Sequence, residues 1–505
     1  MLCCLKEVNI LSSIIDVFSY FIDIRFLMFV FMGSIAGLFV GAIPGLSVAM
    51  ATALLVSITY SWNVHDAMAT IMGVYVVGVY SGALSAILIN IPGAPSSVVT
   101  TLDGHPLAKR GESYKALKYA TVYSFIGTVF GIIALWLLAK PITNIALKFN
   151  PMDYFLLALF GLTTVGSLTT KNFSRGLISA AIGLIISMIG MDSVLGTSRL
   201  TFGIAQLQAG IGIVPALIGL FGFSEVLLNI GDNQVEAEVS KMVKTVVKIK
   251  DVLKHFWISL YFGVIGVLVG ALPGAGGPVA AFLAYGQATR IVKNPSLPFG
   301  EGAVEGIIAS ETANNACIGG ALIPVLTLAI PGDAVTAIML SVFYIHGLRP
   351  GPLFMLESPD MFNTIVAAGL IASVFLLILG LVVAPKISKV ITLPKRILLP
   401  IVTILCIIGS FATNNQLFDV GVMFVFGMLG YIMRKRAYSV APMTLAIVLG
   451  GMMDSNFRRA VSLASSEDNF IVALLGRPIT IVLLAFVIIT LVSNVPAVKR
   501  FVSSR

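Results

Sequence analysis

The sequence predicts an all-α polytopic membrane protein with about ten to twelve transmembrane helices, some of them broken or re-entrant. Three observations lead to this prediction. Hydrophobic residues make up 58% of the 505 residues and charged residues only 11%, whereas a soluble domain has about 25% charged residues. Long stretches contain no Asp, Glu, Lys or Arg, and Pro-Gly pairs interrupt several of them. A helix stops where proline removes a backbone donor and glycine relaxes the chain.

In chain order, the sequence divides into five segments. Residues 1–25 predict an N-terminal interfacial segment, because their acids and the missing cleavage pattern do not fit a signal peptide. Residues 26–230 predict a first membrane repeat. Residues 231–255 predict a cytoplasmic linker rich in lysine, and residues 256–478 a second repeat with extra helices. Residues 479–505 predict a last transmembrane helix and a basic tail, so a multi-pass protein of the cell inner membrane is expected.

Within these segments, the uncharged runs are of two kinds. Single spans are predicted at residues 119–139, 361–385 and 479–498, and a helical pair at 401–414 and 420–433. Other runs are interrupted by Pro-Gly pairs, and these lie at residues 26–65, 67–102, 256–289 and 312–332. Broken backbone at membrane depth is tolerated only where it is buried in protein or lines a cavity. The breaks therefore indicate where a functional cavity lies.

Charge and motif content exclude several classes of function. The net charge of +9 predicts basic cytoplasmic loops rather than a nucleic-acid partner. The four cysteines and four histidines show no metal-ligand spacing, so neither a metal site nor a cofactor is predicted. No H-E-x-x-H motif of an intramembrane metalloprotease occurs, and the longest polar stretch is too short for a nucleotide-binding domain. We therefore expect a transporter, not an enzyme. A passive channel stays possible, although paired breaks favour alternating access.

An internal repeat relates the two halves of the chain. The motif around Pro44 recurs around Pro273, an offset of 229 residues, and the motif around Pro92 recurs around Pro331, an offset of 239. Two ordered matches favour duplication over chance. Paired interrupted segments in two halves are typical of the binding site of a secondary transporter. We expect the two repeats to be inverted, which requires an odd number of spans between them.

The sequence also resembles a known family, the large (TctA-type) membrane subunit of the tripartite tricarboxylate transporters. The resemblance extends from about residue 37 to residue 478. It rests on the motif with Glu311 and Asn314-Asn315, on the segment Ile330-Pro331-Gly332-Asp333, and on further motifs at residues 42–47, 90–95, 103–111, 199–203, 299–302, 347–352, 449–451 and 458–460.

This resemblance implies an ion-driven importer of di- or tricarboxylates such as citrate. It also implies a coupling cation, Na⁺ or H⁺, and two partner proteins in addition to the lipid bilayer. The partners are a small membrane subunit and an extracytoplasmic solute-binding protein. The alternative is a stand-alone ion-coupled transporter for another small anion.

A carboxylate substrate needs hydrogen-bond donors at membrane depth, and helix starts after a break supply free N–H groups and a positive dipole end. The helix after the third break is predicted to begin at Pro278. Simpler interpretations remain, namely N-capping by the serines and close helix packing by the glycines. The candidate substrate-binding residues at the breaks are Pro44, Gly45, Ser47, Pro92, Gly93, Ser96, Ser97, Pro273, Gly274, Ala275, Gly276 and Gly277.

Four polar residues complete the candidate site. Asn314 and Asn315 are adjacent carboxamides in an apolar helix, where they bind substrate or join helices by hydrogen bonds. Glu311 and Asp333 are candidate coupling-ion residues, because acids within the membrane are costly and default to functional roles. Asp333 follows a break and could instead serve as an N-cap.

Overall fold

The computed structural model describes residues 10–44, 46–168, 173–192, 196–230, 249–386, 395–464 and 477–493. These residues are almost entirely helical, and their strands are the antiparallel pair β1 (Gly190–Met191) and β2 (Ser198–Arg199). The candidate residue Gly45 lies outside the described residues. Most of the predicted linker, residues 231–248, lies outside them as well.

Two helix boundaries of the first half lie at residues with a positive φ. The helix α4 ends at Asn90, which has a left-handed φ of 58°. The segment Ala108–Glu112 separates α5 from α6, and Gly111 has a φ of 84° there. The helices are α1 (Ile10–Ser19), α2 (Ile24–Ala42), α3 (Val48–Ile58), α4 (Val64–Ile89), the 3₁₀ turn Pro95–Ser97 that continues into α5 (Val98–Leu107), α6 (Ser113–Ala146), α7 (Pro151–Leu168), α8 (Phe173–Ser187), the 3₁₀ turn Ala205–Ala209, α9 (Ile213–Leu217), the π segment Ile218–Phe223 and α10 (Ser224–Asn229).

The second half repeats the order of its first elements. The helix α14 ends at Ala329, which has the same left-handed φ of 58° as Asn90. The helices are α11 (Ile249–Leu253), α12 (Phe256–Gly270), α13 (Gly276–Ile291), α14 (Val304–Leu328), α15 (Ala334–Ile345), α16 (Phe354–Glu357), α17 (Pro359–Val382), the 3₁₀ turn Ala384–Lys386, α18 (Lys395–Asn414), α19 (Leu417–Lys435), α20 (Ala441–Ala464) and α21 (Pro478–Ser493).

The predicted class, an all-α polytopic membrane protein, is confirmed. Among the described residues, five helices are long and apolar enough to cross a membrane, and seven further apolar helices are 10–17 residues long. Several of the shorter helices, such as α3 and α15, begin directly after a break. The number of ten to twelve spans and the inverted orientation of the repeats stay predictions.

Small residues set the same helix packing in both halves. The helix α2 packs along α4, and α12 packs along α14. A glycine on the first helix of each pair lies directly against the backbone of the second, as in close membrane helix pairs. The contacts follow the offsets of 229 and 239 residues seen in the sequence. The contacting pairs are Gly37–Val74 and Gly41–Gly78 in the first half, and Gly266–Ala313 and Gly270–Cys317 in the second.

One long helix of each half packs against helices of the other half. The helix α6 packs against α12 and α14, α17 packs against α2 and α4, and α6 and α17 contact each other. The helices α7 and α8 pack on α20, while α18 and α19 pack on the π segment that follows α9. The breaks of both halves come together in this arrangement.

Candidate functional site

Four helix starts meet at one cavity of about 940 Å³. They are the starts of α3, of the turn that leads into α5, of α13 and of α15, and each follows one of the Pro-Gly breaks. Two come from each half, so the cavity lies between the repeats. Helix starts direct backbone N–H groups and a positive dipole end outward, and the cavity is therefore suited to an anion.

Two of these four starts are closed by their own side chains. Ser47 Oγ accepts a hydrogen bond from the backbone N–H of Met50 at 3.0 Å. At α15, Asp333 Oδ1 accepts from the backbone N–H of Thr336 at 2.8 Å, and Thr336 Oγ1 accepts from the N–H of Asp333 at 2.9 Å. This reciprocal pair is a capping box. The N-cap interpretation therefore applies to both Ser47 and Asp333, although both side chains also line the cavity.

Among the described residues, no side chain caps the other two starts. Ala94 precedes the turn into α5, and Ala275 precedes α13. The helix α13 begins at Gly276, two residues before the predicted start at Pro278. Gly276 has a φ of 61°, a conformation that glycine adopts without strain. At the turn into α5, Pro95 has no N–H and Ser97 donates its N–H to the carbonyl oxygen of Ala94, which leaves the N–H of Ser96 for an anionic ligand. At α13, the N–H groups of Gly276 and Gly277 belong to the first turn and are open to such a ligand.

Asn314 lies beside these open starts. A Cβ built on Gly277 would lie 2.2 Å from Asn314 Oδ1 and 3.4 Å from Ser96 Cβ, so Gly277 lies against both residues. Asn314 is 2% exposed, and neither polar atom of its carboxamide has a hydrogen-bond partner among the described residues. An unpaired buried carboxamide is costly. Its position on the cavity wall indicates that a ligand completes its hydrogen bonds.

Glu311 and Asn315 lie behind the cavity wall in a buried polar network. Glu311 Oε1 accepts from the hydroxyl of Thr100, and Oε2 accepts from the hydroxyl of Ser124 at 2.9 Å. Asn315 Nδ2 donates to Ser124 Oγ at 2.9 Å and to Glu311 Oε2 at 3.4 Å. Glu311 and Asn315 are fully buried. The network joins α5, α6 and α14, so Asn315 connects helices whereas its neighbour Asn314 faces the cavity.

The cavity brings together most of the candidate residues, but not all of them. Pro44, Ser97, Pro273, Asn315 and Glu311 are not among its lining residues, and Gly45 lies outside the described residues. The residues that line it are Ser47, Pro92, Gly93, Ser96, Gly274, Ala275, Gly276, Gly277, Asn314 and Asp333.

Sequence reasoning missed most of the other cavity residues, among them Tyr75, Glu225 and Arg434. The hydroxyl of Tyr75 donates to Asp333 Oδ2 at 2.5 Å. Arg434 forms an ion pair with Glu225 at the edge of the cavity. Tyr75 could have been found from the repeat, because it stands 239 residues before Asn314. Nothing in the sequence links Arg434 to Glu225.

Comparison with known proteins adds family relationships. The sequence model described as the tripartite tricarboxylate transporter TctA family matches residues 27–445. An uncharacterized 52.8 kDa protein of the TAR-I ttuC' 3' region of Agrobacterium vitis is 32% identical over 471 residues, which cover 93% of this chain and 94% of that protein. An uncharacterized protein of the TAR-II ttuC' 3' region of the same organism is 36% identical over 226 residues, 44% of this chain and 93% of that protein. No solved structure matches this chain significantly.

Proposed function

This chain belongs to the tripartite tricarboxylate transporter TctA family, and on that premise we propose that it translocates a small di- or tricarboxylate of the citrate type. In this proposal it is the large subunit of a three-part, secondary active importer in the cell inner membrane. The family is one of transporters, and the helical architecture fits a membrane-embedded transporter rather than an enzyme.

The observation that supports a carboxylate substrate is the pair of uncapped helix starts beside Asn314. A carboxylate accepts hydrogen bonds without donating any, which matches a site whose open groups are backbone N–H donors and a carboxamide. Binding through backbone dipoles spares the protein the cost of holding a bare cation at membrane depth. Gly276 and Gly277 contribute no side chains of their own that would cover the start of α13.

For coupling, we propose that Glu311 and Asp333 respond to the driving cation, H⁺ or Na⁺. The side-chain partners that the structure gives Glu311 are neutral, namely two hydroxyls and one carboxamide. A buried carboxylate with neutral partners favours binding of a proton or a cation. Thr100 lies one helical turn beyond Ser96 and Ser97, so α5 connects Glu311 to an open helix start.

For partners, we propose a small membrane subunit and an extracytoplasmic solute-binding protein, since the family is the large subunit of a tripartite system. The binding protein would concentrate dilute substrate at the outer face of the membrane. Because the binding protein supplies the substrate, we expect the isolated chain to transport poorly at low substrate concentration.

The test is uptake of radiolabelled citrate and succinate into proteoliposomes. Vesicles with this chain alone are compared with vesicles that also contain the small subunit, each with and without the binding protein and an imposed Na⁺ or H⁺ gradient. We expect gradient-driven uptake only in the complete system. Full high-affinity uptake by the chain alone would support the stand-alone alternative, and no uptake of any carboxylate by the complete system would refute the proposed function.

A further inference from the structure

The two halves differ at one pair of equivalent helix starts. By the offset of 239 residues, Ala94 corresponds to Asp333 and Ser97 corresponds to Thr336. Both first residues have extended backbone, with φ and ψ of −138° and 157° at Ala94 and −150° and −175° at Asp333. The second half thus carries a carboxylate at a place where the first half carries only a methyl group.

The first half retains the hydroxyl partner without the carboxylate. Thr336 donates its hydroxyl to Asp333 Oδ1 at 2.8 Å. Its counterpart Ser97 is fully buried, and Ser97 Oγ has no hydrogen-bond partner among the described residues. A buried hydroxyl without a partner costs stability. The hydroxyl that would serve a carboxylate is therefore in place, while no side chain supplies one.

The place that the carboxylate would take opens into the cavity. Ala94 is half-buried, and both Ala94 and Ser96 line the cavity wall. Gly277 lies against both Ser96 and Asn314. An anion at this helix start therefore lies beside the backbone N–H of Ser96 and on the same cavity wall as the unpaired carboxamide of Asn314.

We propose that a carboxylate group of the transported substrate binds at the start of the helix formed by residues 95–107, in the place that the Asp333 side chain takes at α15. In the first half the substrate then caps this helix start, whereas in the second half the protein's own Asp333 caps the equivalent start. This inference rests on the proposed function and adds the position and the chemistry of one subsite. The second open start, at α13, lies against Ser96, so another carboxylate of the same substrate can bind there.

The decisive variant is Ala94→Asp, which supplies the missing carboxylate and builds a capping box with Ser97. We expect the KM for radiolabelled citrate to rise by about tenfold or more, because the new side chain occupies the subsite and repels the substrate. Ala94→Asn has nearly the same size without the charge and should raise KM less. Ser97→Ala removes the hydroxyl without adding bulk and should raise KM several-fold.

The matched control is Ala437→Asp. Ala437 lines the same cavity and has a left-handed φ of 58°, which Asp tolerates better than most residues. It adds the same charge to the cavity away from the helix start, and its KM should change much less. Membrane expression and thermal stability of all variants are measured in parallel, and Ala94→Asp should be at least as stable as the wild type.

Each result decides the proposal. An unchanged KM in Ala94→Asp, or an increase no larger than in Ala437→Asp, would overturn this subsite. If the wild-type protein still takes up citrate in that case, the proposed function is unaffected. A Ser97→Ala protein with unchanged KM and an altered Na⁺ dependence would show a cation subsite instead, which also overturns it. Absence of citrate and succinate uptake by the wild-type complete system would contradict the proposed function itself.

Discussion

The substitution Gly277→Ala tests whether Asn314 contacts the substrate. A Cβ at Gly277 would lie 2.2 Å from Asn314 Oδ1, well inside the van der Waals contact distance of an oxygen and a carbon. The φ of Gly277 is outside the left-handed region, so alanine fits the backbone without strain. The side chain of Asn314 must therefore move, and the variant perturbs this carboxamide without removing it.

The expected size of the effect follows from the hydrogen bonds that Asn314 loses. A hydrogen bond to a charged group contributes about 1.5–3 kcal/mol, and each 1.4 kcal/mol is about a tenfold change in affinity. We therefore expect the KM for citrate to rise roughly 10- to 150-fold in Gly277→Ala. Asn314→Ala should produce a similar rise, because both variants lose the same contact.

The double variant separates this explanation from plain steric damage. In Asn314→Ala the alanine at position 277 has space, so the combined protein should be no worse than either single variant. Gly286→Ala is the control on the same helix, because a Cβ there meets no atom of the described residues within 4 Å. Uptake is measured in the complete system at matched expression. A wild-type KM in Gly277→Ala, or additive losses in the double variant, would refute the reasoning.

Two further predictions concern the interior behind the cavity. Glu311→Gln keeps the volume and the hydroxyl partners but cannot take up a proton or balance a cation, so gradient-driven uptake should fall to the rate of passive exchange. The control Glu301→Gln changes an exposed residue and should behave as wild type. Preserved gradient-driven uptake in Glu311→Gln would exclude the coupling role. Gly131→Val places a Cβ 2.4 Å from the carbonyl oxygen of Ala316 and should lower thermal stability in detergent by about 1–3 kcal/mol. In Gly421→Ala the new Cβ meets nothing within 4 Å in the part of the chain that the structure describes, so this variant should leave stability unchanged. Equal melting temperatures for the two proteins would contradict this packing.

The features that could be predicted from the sequence are those that depend on a few neighbouring residues. The helix ends near Pro92 and Pro331 follow from the local chemistry of proline and glycine. The positions of Asn314 and Asp333 on the cavity wall were within reach because polar groups in apolar helices are rarely placed without a partner or a role. The repeat was visible because it preserves both order and spacing.

The remaining features depend on three-dimensional contacts that no local pattern encodes. Adjacent carboxamides point about 100° apart around a helix, so the sequence could not decide that Asn314 faces the cavity while Asn315 faces α6. The ion pair of Arg434 with Glu225 joins residues 209 positions apart. Which helix starts are capped likewise depends on geometry, because Ser47 caps its helix whereas Ser97 makes no such bond.

The glycine contacts between α6 and α14 have a mechanical consequence. At Gly127 and Gly131 the two backbones lie so close that neither helix can slide along the other without first separating. The pair is therefore expected to behave as one stiff rod during a transport cycle. Bending is then expected at the two ends of this pair. One end is at Gly111, where a Cβ would meet no described residue within 4 Å, and the other is at the left-handed turn of Ala329. A cation bound at Glu311 would thus travel together with the wall of the cavity.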